Sequence, residues 1–239
     1  MENITLGLHQ SQKESQVGED SAESQVLAWG LHGQGYALVR IGLLDEAASK
    51  LLKALELHKN IPNDQYFIIA SGDLGECYLR QGKLELALEV LEKSVLIVIE
   101  KGLRDYGVTW VRNNLAEVYL TAARQATTEQ ERRLWLNKAQ IACKAALKHS
   151  KKFMVGKPKA ARLQGEYEWL IGKPKLAQKW WQESLDVATE MGARYEAGMT
   201  HLTMGRYLRA RVHLEQARDI FAALEAKWDW AQAQSLLEQ

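Results

Sequence analysis

The sequence predicts an all-α fold, a right-handed superhelical solenoid of about five antiparallel helix pairs plus a C-terminal capping helix. Three observations predict it: a helix-forming composition, small and large residues recurring on one fixed frame, and glycines at the points where helices must stop. Of the 239 residues only three are proline, at Pro62, Pro158 and Pro174. Ala, Leu, Glu, Gln and Lys are abundant, and these side chains lose little rotamer freedom in a helix. Hydrophobic residues make up 46% of the chain, enough for a buried core.

Four segments share the frame. The first runs Gly35, Gly42, Ala47, Leu51, Ala54, and the second Gly75, Gly82, Ala87, Leu91, Ser94. The third runs Gly165, Gly172, Ala177, Trp181, Ser184, and the fourth Gly198, Gly205, Ala210, Leu214, Ala217. In each, the first small residue lets two helices approach closely. The second Gly ends the first helix, where a left-handed residue is needed. The following Ala and the later small residue lie two turns apart, on one face of the second helix. The turn between the helices is short, so each pair is antiparallel.

Another unit lies between the second and third of these segments and carries an insertion. Trp110, Leu115, Ala116 and Tyr119 mark its first helix, and Ala139, Cys143 and Ala146 the packing face of its second. Thr128 is placed as the N-cap of that second helix, with Glu131 completing a capping box, so this helix starts early and runs long. The units are bounded at 25–60, 64–101, 105–152, 156–190 and 191–224, with a cap over 225–239. Residues 25–239 are thus expected to form a single repeat domain. Residues 1–24 are polar, without a sustained period, and are expected to form a flexible tail or linker.

The frame resembles the tetratricopeptide repeat family over roughly residues 25–220, in a version extended to about 40 residues between Gly42 and Gly82, where the usual period is about 34. The last repeat, from Gly192 through Gly205-Arg206-Tyr207 to Phe221, also resembles the C-terminal repeats of large bacterial signalling ATPases and cyclases. The family resemblance implies a protein-binding scaffold or sensor whose first helices line a concave groove. Carried over residue by residue, the groove positions are Trp29, His32, Tyr36 and Arg40, then Ile69, Glu76 and Arg80. They continue with Trp110, Asn113 and Glu117, with Lys159, Arg162 and Glu166, and with Tyr195 and Met199. Aromatics and arginine are common binding hot spots, and Asn can clamp an extended backbone. The family's clamp for a C-terminal carboxylate needs Lys and Asn where His32 and Tyr36 stand, so that ligand is not expected.

The residues suggest no enzyme and no cofactor. Gly30, Gly33 and Gly35 lack the preceding strand of a phosphate loop, and Gly172-Lys173-Pro174 lacks the Ser or Thr that would reach a metal. The six histidines form no HExxH-type site. Cys77 and Cys143 stand apart and read as reduced core thiols. With a formal net charge of +1, no global field selects nucleic acid. Locally, Lys144, Lys148, Lys151, Lys152, Lys157, Lys159, Arg162, Lys173, Lys175 and Lys179 form a basic stretch, which keeps open a nucleic-acid-binding adaptor. A regulatory tail of a signalling ATPase or cyclase system also stays open, as does a homodimer. No membrane span and no signal peptide are read, which makes the cytoplasm the expected location.

Overall fold

The computed structural model describes residues 4–61 and 64–239. Among them twelve α-helices follow one another: α1 (Ile4–Ser21), α2 (Ser24–Ile41), α3 (Leu44–His58), α4 (Asp64–Arg80), α5 (Leu84–Glu100), α6 (Gly107–Gln125), α7 (Glu129–Ser150), α8 (Lys157–Leu170), α9 (Pro174–Glu190), α10 (Arg194–Leu208), α11 (Arg211–Ala223) and α12 (Lys227–Leu237). The five expected pairs are α2/α3, α4/α5, α6/α7, α8/α9 and α10/α11. The chain divides into two compact units. One comprises Met1–Asn114 with Glu225–Trp228, the other Leu115–Leu224 with Asp229–Gln239.

The first unit shows why the frame works. Gly35 on α2 faces Leu51 on α3, and Gly75 on α4 faces Leu91 on α5. A Cβ on Gly75 would stand 2.5 Å from Leu91 Cγ. Leu51 and Leu91 are fully buried, as are Ala47 and Ala87, one turn before them. Leu38, Val39, Leu74 and Cys77 complete this core. Gly82 closes α4 at φ 73°, a left-handed conformation that costs a residue with a Cβ.

Residues 4–21 depart from the expectation of a flexible tail: they form α1 and pack on α2. The reason is steric. Gly7, Ser11, Ser15 and Gly18 form the buried stripe of α1. On the facing side, Gly30 has no room for a Cβ against the Ser15 backbone, and a Cβ on Gly33 would meet Ser11 Oγ. The Gln34 side-chain amide donates to Ser15 Oγ at 2.6 Å and to the Ser11 carbonyl at 3.3 Å. Leu8 adds an apolar contact to the core. The glycines of WGLHGQG therefore serve helix packing. The polar composition of α1 concealed this, because a helix docked through small residues needs few large apolar ones.

In the second unit, α7 is the longest helix, with 22 residues. Thr128 caps it as expected: Thr128 Oγ1 accepts the Glu131 N–H at 3.2 Å, while Glu131 Oε2 accepts the Thr127 N–H at 3.1 Å. Gly165 on α8 faces Trp181 on α9, and Ala177 and Trp181 are fully buried. The last pair departs from the frame. Gly205 does not end α10; it lies inside the helix against Leu214, while Gly198 lies against Phe221. Arg209 takes the left-handed turn position instead, at φ 53°. Close packing of α10 on α11 uses both glycines, so the turn falls later than their spacing suggests. The Tyr195 hydroxyl on α10 donates to Asp229 of α12 at 2.8 Å.

Candidate functional site

The first helices of the pairs, α2, α4, α6, α8 and α10, carry the positions expected to meet a partner. Within the first unit the structure brings several of them together. His32 Nε2 lies 2.7 Å from Asp73 Oδ2, and the Trp110 indole N–H donates to Asp73 Oδ1 at 3.1 Å. Asp73 thus ties α2 and α6 to α4. Trp29 is 36% exposed and leans on Tyr66, with ring centroids 5.2 Å apart. Tyr66 stacks on His58, and burial, reinforced by His32, lowers the His58 pKa to about 4.

One layer further along the same helices, Arg40 Nη1 and Arg80 Nη2 converge on Glu76 Oε1 at 2.9 and 2.8 Å. Tyr36 lies beneath the Arg40 guanidinium, 4.6 Å from its ring centre. Two guanidiniums share one carboxylate here, an arrangement tolerable in a buried site because each charge is hydrogen-bonded. Ile69 is buried where Gly107 passes it.

The second unit has a similar ladder. Glu117 on α6 takes Lys159 Nζ at 2.7 Å and Arg162 Nη2 at 3.3 Å, both from α8. Glu166, one turn beyond Arg162, accepts Arg124 Nη1 from α6. Arg124 also donates to the Tyr207 hydroxyl at 3.3 Å. Burial alone would lower the Arg124 pKa, but Glu166 and Tyr207 outweigh it and hold the group above its ordinary value. Burial and Glu166 push the Tyr207 hydroxyl up to about 12, against the opposing pull of Arg124. Its ring stacks on Trp181, and Trp169 packs against both.

Six of the fifteen expected contact residues are buried: Arg40, Ile69, Glu76, Asn113, Arg162 and Glu166. Of these, Arg40, Glu76, Arg162 and Glu166 pair with a neighbouring first helix. Trp29, His32, Tyr36, Arg80, Trp110, Glu117, Lys159, Tyr195 and Met199 are at least partly open to solvent. Asp73, Arg124 and Tyr207 take part in these contacts and were not among the expected residues. A signal for the arginines exists in the sequence: α2, α4, α6 and α10 each carry one in the last turn, at Arg40, Arg80, Arg124 and Arg206.

The basic stretch does not act as one set. Lys157 pairs with Glu183, Lys159 and Arg162 with Glu117, and Lys173 reaches Glu168 at 3.9 Å. Lys144, Lys148, Lys151, Lys152, Lys175 and Lys179 are exposed. Cys77 and Cys143 are free and buried, and burial raises both thiols, that of Cys77 to about 11. Among the described residues no helix is long and apolar enough to cross a membrane.

The tetratricopeptide repeat family matches residues 26–95, which span α2 through most of α5. This is the stretch in which Gly35 meets Leu51 and Gly75 meets Leu91. No curated protein matches the chain. Solved structures extend the likeness in fold to nearly the whole length. The Rap conjugation gene regulator of plasmid pLS20, solved in complex with the Phr* peptide, is similar at TM-score 0.66 and 12% identity, over 98% of this chain and 73% of that one. BtubC (BKLC) from P. vanneervenii is similar at TM-score 0.58 and 15% identity, over 93% and 92% of the two chains. TTC0263, a thermophilic tetratricopeptide-repeat protein of Thermus thermophilus, is similar at TM-score 0.56 and 20% identity, over 87% and 99%.

Proposed function

We propose that the chain is a non-catalytic interaction module that binds a peptide segment of another protein on the faces of its first helices. One observation carries this reading. The first-helix faces hold their polar groups rigidly in ion pairs that cross from helix to helix, yet leave aromatic side chains at the surface. Arg40, Glu76 and Arg80 fix α2 against α4, while Trp29 stays 36% exposed and Tyr36 partly so. A surface ordered before binding loses little entropy when a partner arrives, and exposed aromatics supply contact area at low rotamer cost. The similarity in fold to a Rap regulator that holds a peptide supports the same reading.

Selection of a random peptide library on the immobilised full chain tests it. Peptides should be retained, and retention should fall when Trp29 and Tyr36 are both replaced by Ala, with helicity unchanged by circular dichroism. Replacing the exposed second-helix residues Leu52 and Leu96 should leave retention intact. Equal loss from the two double variants, or no retained peptide, would defeat the proposal.

A further inference from the structure

The last helix pair brings two histidines together across its turn. His201 lies on α10 and His213 on α11. Arg209 turns the chain in its left-handed conformation between them. Gly205, one turn beyond His201, lies against Leu214: a Cβ there would stand 2.4 Å from Leu214 Cδ2. That close approach of the two helices sets the spacing at His213, the residue before Leu214. His201 Nδ1 and His213 Nδ1 stand 3.0 Å apart, with ring centroids 5.1 Å apart. Gln216 Oε1, one turn further along α11, lies 3.3 Å from the same His213 nitrogen.

His213 Nδ1 therefore faces two neighbours that both carry lone pairs. In a neutral imidazole this nitrogen either donates one hydrogen or accepts one, so a single proton serves one neighbour well and not both. A cation bound by the lone pairs removes that conflict, and the spacing fits one. Imidazole nitrogens sit about 2.0–2.1 Å from a bound zinc ion, so two of them stand about 2.9 Å apart at a right angle and about 3.3 Å apart at a tetrahedral angle. The observed 3.0 Å falls between these limits. The same distance also suits a plain hydrogen bond between the rings, so the test must read the ion itself.

We propose that His201 and His213 chelate a divalent late transition-metal ion, with Gln216 as a neighbouring oxygen donor. Imidazole suits copper, nickel and zinc, and copper binds such nitrogen sites most tightly among the divalent first-row ions. Both rings are half-buried, so an ion can reach them from solvent. Among the described residues no cluster of three His, Cys, Asp or Glu forms, so water fills the ion's remaining positions and the site is an open one. The ion joins α10 to α11 beside their turn, and its binding does not depend on the peptide-binding reading above.

The experiment titrates copper(II) chloride into the chelator-treated full chain by calorimetry. The wild type is compared with His201→Gln, His213→Gln and, as a control at an exposed histidine, His9→Gln. The wild type and the control should bind copper equally, and either site variant at least about tenfold more weakly. Copper should also raise the melting temperature of the wild type more than that of His213→Gln, because an ion that binds the folded chain stabilises it. A second readout needs no variant: paramagnetic copper, added below one equivalent to the wild type, should broaden the ring signals of His201 and His213 before those of His9. Equal affinity in the site variants, broadening that begins at other histidines, or no bound copper would each overturn the inference.

Discussion

Arg40 on α2 and Glu76 on α4 meet at 2.9 Å with both side chains almost wholly removed from solvent. The pair joins neighbouring first helices and leaves the carboxylate with a second guanidinium, that of Arg80. Breaking one member of such a group costs more than the group contributes, because a charge is then stranded in a poor solvent. Replacing Glu76 by Gln should lower the stability of the first unit by about 3 to 5 kcal/mol, measured by denaturant unfolding. Arg80→Gln should cost clearly less, since Glu76 keeps Arg40.

Gly75 and Leu91 set the spacing of α4 and α5. Gly75→Ala should destabilise by about 1 to 3 kcal/mol, the usual cost of overpacking, because Leu91 is fully buried and has little room to yield. Gly82→Ala should cost about 1 to 2 kcal/mol for a different reason: a Cβ there meets nothing within 4 Å, so only its positive φ opposes the change. Thermal melts of the two variants, with Gly75→Ala costing less in a Leu91→Ala background than in the wild type, separate packing from backbone strain.

Acid should weaken the protein through buried His58 and partly buried His201. His58 and His201 each have a folded-state pKa of about 4 against an ordinary 6.5, with burial the larger cause and a neighbouring histidine the smaller. Between those values the unfolded chain binds more protons than the folded one, so stability rises with pH across that window and falls as pH drops from 6.5 toward 4. Above about pH 7 both states are neutral at these sites and the contribution is flat. His58→Leu should reduce the acid sensitivity. Ring-proton titration by NMR should give midpoints near 4 for both residues.

The docking of α1 rests on a backbone approach that tolerates no added carbon. Gly30→Ala should push α1 away from α2, since the obstacle is the backbone at Ser15 rather than a movable side chain. Hydrogen exchange should then speed up over residues 4–21 while the α4/α5 amides keep their protection. Unchanged protection in α1 would show that its packing has another source.

Much of this architecture was legible because each frame position performs a geometric task. Gly35, Gly75 and Gly165 make room for one large residue, and Gly42, Gly82 and Gly172 turn the chain, so spacing alone revealed the pairs. The same logic misplaced the end of α10, where two glycines pack against Leu214 and Phe221 and Arg209 makes the turn. It also missed α1, because Gly7, Ser11, Ser15 and Gly18 carry no apolar signal. The partners of the candidate residues were not legible. Arg162 and Glu166 lie on α8 and are engaged by Glu117 and Arg124 from α6, pairings that helical periodicity cannot reveal.

The most direct test of a first-helix binding face is amide and side-chain NMR mapping of the full chain with a peptide taken from the selection. The account predicts shift changes concentrated on α2 and α4, with the indole of Trp29 among the affected signals. Changes confined to the second helices α3 and α5 would contradict it.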